Sequence, residues 1–277
     1  MAKAKGPVGG TNGGDGVQRT GVQGTAGVTP NGGKPAGGNI TAGDGFTEFG
    51  ANGLRQYSGY VREEWLPQLI GRKGLLTLRE MRDNDPIIGA AFYAIEMMVR
   101  GVSFHVEGAT SSAEDQAAAD FVESCLGDME QSWSGFLAEV MPFLLYGWDV
   151  HEIVYKQRKG RTNDLKTNSK YDDGLIGWRK FAIRSQETLL HWIFDEAGDA
   201  THLVQLLPTG GPLLQVPLEK CLHFRTTPYK ANPEGRSIVR NAYTSYYYKK
   251  VLQEIEAIAV ARDLTGLTTG WVPAKRS

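Results

Sequence analysis

Between residues 86 and 264 the apolar residues change period several times, and the order of those changes limits the possible folds more than any other feature. Behind Pro86, which suits a first helical turn capped by Asp83 or Asn84, Ile87, Ala90, Ala91, Ala94, Ile95 and Met98 recur at helical spacing, and Gly101 supplies a stop. A short helix over 75–81 precedes it. Val102, Phe104 and Val106 then alternate with Ser103, His105 and Glu107, which predicts a half-buried strand. Helical spacing returns over 114–126. It returns again from Ser132 or Ser134, where Phe136, Leu137, Val140, Phe143 and Leu144 recur, Pro142 should kink the helix and Gly147 should end it. From Trp148 the runs shorten to strand length. The segments 148–156, 178–184, 190–194, 202–207 and 221–225, parted by turn-rich stretches, read as a β-meander. A long helix over 237–264 closes the series. Ile238, Ala242, Tyr246, Leu252, Ile255 and Ala259 mark its stripe, and Gly266 stops it. At ~1.5 Å per residue it would run roughly 40 Å. Helices, then a meander, then one long helix predict an α+β fold.

Residues 1–50 hold sixteen of the 35 glycines and no aromatic before Phe46. Such a stretch buries too little apolar surface to offset its ordering entropy, so it is expected to be a disordered, flexible arm. The predicted organisation is therefore an arm over 1–50, an α+β domain over 51–235, and the long helix with the start of a following segment over 236–277.

The balance of 30 basic and 31 acidic residues leaves a net charge of −1, unlike a domain that grips nucleic acid by neutralising phosphates. Cys125 and Cys221 stand far apart, form no metal-type pair and fit a reducing cytoplasm. The apolar run Phe143-Leu144-Leu145-Tyr146 is far too short for a bilayer, and the N-terminus lacks a signal-peptide core, so no membrane association is expected.

Chemical motifs fail one by one. Gly33-Lys34 is followed by Pro35 instead of the hydroxyl residue a phosphate loop requires. His151-Glu152 opens like a zinc-protease helix, but Tyr155 occupies the place of the second histidine. Asp172-Asp173 read as a solvated turn rather than an acid/base pair. His191, His202 and His223 lie on separate predicted strands, and their convergence on a metal is the one route to an enzyme with a dispersed site. The expectation is a non-enzyme with no cofactor and no metal.

Two features suggest contacts instead. Between Lys156 and Lys170 there are six bases, Lys156, Arg158, Lys159, Arg161, Lys166 and Lys170, against one acid, Asp164. Such a loop can touch DNA phosphates without reading sequence. The tyrosines 243, 246, 247 and 248 cannot all face one core from a helix. Tyr243 and Tyr247, one turn apart, are the candidate subunit interface.

Four passages in order carry a resemblance. They are Arg79-Glu80-Met81-Arg82-Asp83-Asn84-Asp85-Pro86 opening a small-residue helix that leads to Val102-Ser103-Phe104-His105-Val106, then Phe143 to Val154 around Gly147-Trp148, then Val216 to Phe224, and Pro233 to Arg240 with Gly235-Arg236-Ser237. Together they resemble the portal proteins of tailed bacteriophages, the head-tail connectors, and in particular the Mu-like branch. The resemblance implies a wing of helices around a mixed sheet that leads into a stem-type helix. It implies a homo-oligomeric ring, typically a dodecamer, at one capsid vertex, through which DNA is packaged and ejected. Implied partners are the terminase, the capsid protein, head-completion and connector proteins and non-specifically bound double-stranded DNA. The implied location is the virion, assembled in the host bacterial cytoplasm. The family's clip, returning stem and crown would follow residue 277, so the chain is expected to be a fragment or a short form. A capsid-associated adaptor outside the portal family would lack this order of elements.

Overall fold

A computed structural model describes residues 50–264 together with Gly266 and Gly270. The expected arm lies outside the described residues, except at residue 50. The fold is α+β, as the order of periods requires.

The described chain opens with a tight hairpin, β1 (Gln56–Tyr57) and β2 (Tyr60–Val61), turned through Ser58 and Gly59 at φ 50° and 82°. Two positive φ values in the turn match the twist of the paired strands. A first helix, α1 (Gly71–Asn84), is twice the expected length. It stops because Asp85 is extended ahead of Pro86, whose ring disfavours helical geometry in the residue before it. Asp85, not Asp83 or Asn84, caps α2 (Pro86–Arg100), accepting from the N–H groups of Ile87 and Ile88. Apolar residues occupy more than one side of this helix, which carries only the Glu96–Arg100 pair as charged groups, so their spacing did not fix its phase. Ile88 and Phe92 turn inward, while Ile87 and Met98 of the expected stripe are 76% and 66% exposed.

The strand expected over 102–106 does not form: no neighbouring strand completes a ladder there, and alternation alone cannot satisfy backbone polar groups. Phe104 instead packs edge-on against Trp133, ring centroids 5.6 Å apart. Ser112 caps α3 (Ala113–Gly127) and Ser132 caps α4 (Trp133–Val140). Pro142 does more than kink the next stretch: it opens a separate short helix, α5 (Pro142–Tyr146), which ends at Gly147 with φ 97°.

The expected meander is two three-stranded antiparallel sheets. The first has β3 (Trp148–Gln157) between β4 (Ile176–Ile183) and β8 (Cys221–Arg225). The second runs β5 (Leu189–Phe194), β6 (Ala200–Gln205) and β7 (Leu214–Pro217), the last of these unforeseen. The first half of β3 is buried on both faces. Trp148 and Val150 join Trp192, Leu203 and Val216 in one core, with Trp148 edge-on to Trp192 at 5.1 Å. On the opposite face His151 and Ile153 meet Phe136 of α4 and Phe181 of β4.

The chain then folds through an irregular loop and a single turn of 3-10 helix, Arg240–Ala242, before α6 (Tyr243–Leu264). The helix is 22 residues long, roughly 33 Å at ~1.5 Å per residue. It starts later than Ser237 because Ile238 donates its N–H to the Leu144 carbonyl instead of entering a helical ladder. Gly266, at φ 75°, follows its end.

Candidate functional site

The basic loop joins β3 to β4, and its two innermost bases do not face solvent. Lys156 is 6% exposed, and its ammonium lies 3.0 Å from the Asp128 carboxylate and donates to the Asp128 carbonyl at 2.6 Å. Asp128 also accepts from the Ser169 hydroxyl at 2.6 Å and the Lys170 N–H at 2.8 Å. Burial would raise the Asp128 carboxyl, but these three donors hold it below its ordinary range. Arg158 is 3% exposed. Its guanidinium pairs with Asp173 at 2.8 Å, donates to the Ser124 hydroxyl at 2.9 Å and lies 4.1 Å from the centre of the Tyr171 ring. Asp173, expected in a free turn, is thus the counter-ion of a buried arginine.

Buried and paired, Lys156 and Arg158 cannot reach a phosphate on another molecule in this conformation; they tie the loop to the end of α3. Lys159, Arg161, Lys166 and Lys170 remain exposed. Lys170 also reaches the Gly127 carbonyl. Asp164 is spent inside the loop, accepting from the Lys166 N–H at 2.9 Å. The sequence could not separate tether from tip, since a lysine reads the same in both; the acid that decides, Asp128, is 28 positions from Lys156.

The tyrosines sort in the same way. Tyr243 packs against the cluster of Leu78, Met81 and Leu145, and Tyr246 donates to Glu80 at 3.3 Å. Lys249 and Lys250 pair with Asp85 and Glu80 at 2.8 and 2.5 Å. These contacts anchor the first two turns of α6. Tyr247 stacks on Tyr243 at 6.3 Å and is 51% exposed. Every residue from Leu252 to Leu264 is exposed, so Leu252, Ile255 and Ala259 do not face the helix's own domain as their spacing suggested. Leu252, Ile255, Ile258 and Val260 are each more than half exposed. Tyr93, Met98 and Ile87 of α2 form further exposed apolar surface.

The three histidines occupy separate environments. His223 stacks on Trp192 at 5.7 Å and its Nε2 lies 2.8 Å from the Pro233 carbonyl; His191 lies against Tyr60; His202 meets the Thr201 hydroxyl. Among the described residues no three His, Cys, Asp or Glu side chains are grouped to hold a metal ion, and no helix is long and apolar enough to cross a membrane.

Residues 75–262 match the model of a family described as the portal protein of Mu bacteriophage. Among curated proteins, none matches the sequence.

Proposed function

The chain belongs to the portal protein family of Mu-like bacteriophages, a structural rather than enzymatic family, and from that premise we propose that it is a subunit of the portal ring in the virion. In this reading the ring, a dodecamer assembled in the host bacterial cytoplasm, occupies one capsid vertex. It conducts DNA during packaging and ejection and docks the terminase, the capsid protein and the head-completion and connector proteins. The observation that carries the proposal is the family match over 75–262, which spans every helix and strand from α2 to β8 and most of α6.

The physics supports it. A lone helix gains most of its stability from packing an apolar face, yet the distal half of α6 leaves its aliphatic residues in solvent. A neighbouring subunit meeting that half, Tyr247 and the outer face of α2 would bury them. A ring uses two different surfaces of each subunit, so such an asymmetric contact is the expected kind. Tyr243, already packed at home, is a lesser part of this interface than Tyr247. The near-neutral charge suits a conduit, because each neutralised phosphate adds affinity that would hold DNA in place.

Native mass spectrometry of the full chain tests the reading. A closed oligomer is expected, and Leu252→Asp with Ile255→Asp should return it to monomer without lowering the melting temperature of the fold. A wild-type chain that stays monomeric at all concentrations, or an oligomer indifferent to both changes, would count against it.

A further inference from the structure

A cleft of about 480 Å3 opens between the segment after β2, the start of α1 and the loop that precedes α6, and ring assembly gives it no task. Three carboxylates line it, Glu63, Glu64 and Glu234. Two are satisfied by cations of this chain. Glu63 is met by Lys230 at 3.3 Å and Arg55 at 3.5 Å, and Glu64 takes both Nη2 and Nε of Arg240, at 2.6 and 3.0 Å. Glu234 differs. Its Oε1 accepts from the Trp192 indole N–H at 3.1 Å, and among the described residues no cation pairs with it. The nearby Arg236 is exposed and donates to the Asn241 side chain at 3.0 Å. At the rim stand Trp65 and Tyr229, 84% and 65% exposed.

We propose that this cleft binds an alkylguanidinium, the side chain of an arginine brought by a partner polypeptide, with the Glu234 carboxylate as its counter-ion and the Trp65 and Tyr229 rings against its faces. An anion is disfavoured beside Glu234, because Arg240 on the lining is already committed to Glu64 and, of the three lining carboxylates, only Glu234 lacks a cation among the described residues. A metal ion would need several converging oxygen ligands, whereas Glu63 and Glu64 are already bound to cations. A guanidinium is planar and weakly hydrated, pairs with a carboxylate through more than one N–H and stacks on aromatic rings, so it enters a partly desolvated cleft at less cost than an ammonium ion. Desolvation pushes the Glu234 carboxyl up to about 7, so an arriving cation would displace a proton that burial keeps there part of the time. This inference is independent of the ring reading.

The test follows the Trp192 indole N–H resonance of the isotope-labelled full chain while N-acetyl-arginine methylamide is titrated in, with its neutral citrulline counterpart as control. The arginine probe should shift that resonance saturably at about pH 8, and the citrulline probe should not. Affinity should fall at least ~10-fold in Glu234→Gln, and likewise on going to about pH 5.5, where the carboxyl is protonated. The other titratable and charged groups on the lining are Glu63, Glu64, Tyr146, Arg236 and Arg240. Glu63 and Glu64 are shifted down, Arg240 is shifted up, and the His223 ring behind Trp192, at about 4, stays neutral. Trp65→Ala, a change at an exposed position, should weaken binding several-fold with an unchanged melting temperature, so the proposal stays testable if the Glu234 variant misfolds. Equal shifts from both probes, no saturation, or an unchanged affinity in folded Glu234→Gln or in Trp65→Ala would overturn it.

Discussion

The Lys156 ammonium and the Asp128 carboxylate lie 3.0 Å apart with both side chains buried, so the base of the charged loop is an internal ion pair rather than a surface. Breaking one side leaves a buried charge, at a cost of ~3–5 kcal/mol. Asp128→Ala should lose about that much in urea unfolding, and adding Lys156→Met should restore part of it. Because the folded Asp128 carboxyl is held low, its contribution is present above the unfolded value and is lost as pH falls through the folded one. Wild-type and Asp128→Ala stabilities should therefore converge in acid.

Gly147 and Gly235 meet backbone to backbone where α5 passes the loop before α6. A Cβ on Gly235 would lie 2.2 Å from the Gly147 carbonyl oxygen and 2.6 Å from that of Thr226, at φ 54°. Gly235→Ala should cost ~3 kcal/mol or more, from left-handed strain and overpacking together. Gly210→Ala, at φ 78° with nothing within 4 Å, carries the strain alone and should cost ~1–2 kcal/mol. Equal losses in thermal unfolding would remove the close approach as a cause.

Weak duplex binding, if the exposed loop bases supply it, should lose part of its salt dependence in the triple change Lys159→Ser, Arg161→Ser, Lys166→Ser. Each lost phosphate contact lowers the slope by ~0.9. Arg158→Ser should act differently, leaving Asp173 without its counter-ion and exposing residues 158–175 to proteolysis. An unchanged slope in the triple variant would mean that these bases are merely solvated.

Trp192 holds two groups whose titrations oppose each other. Burial lowers the stacked His223 to about 4 and raises Glu234 to about 7. The histidine's contribution is present above its unfolded value near ~6.5 and is lost as pH falls towards 4. The carboxyl's is present below ~4.3 and is lost as pH rises to 7. Each amounts to roughly 3 kcal/mol, so the contributions of these two groups should nearly cancel between about pH 4.5 and 6.5. Glu234→Gln should uncover a rise of stability with pH across that window, seen in denaturation midpoints. A flat profile in the variant would show that His223 is not buried as described.

Local chemistry alone wrote much of this protein into its sequence. The helix over 114–126, the helix starts at Ser132 and Pro86, the break at Pro142, the stop at Gly147 and most of the strands follow from caps, ring geometry and period, each decided within a few residues. The order of those elements was also enough to suggest the family that the match over 75–262 then supplied. What the sequence left open were choices between equivalent faces and between distant partners. A mostly apolar α2 has more than one plausible inward face until Leu78 and Leu145 give it a floor, and Val102–Val106 has strand periodicity without a neighbouring edge. Lys156 and Arg158 look like their exposed neighbours until Asp128 and Asp173 close on them, and Glu234 looks like any loop acid until Trp192, 42 positions away, meets it inside the cleft. Propensity and periodicity act over one or two turns of chain. Burial and ion pairing depend on which remote segments share a volume, and for these residues only the tertiary structure decided that.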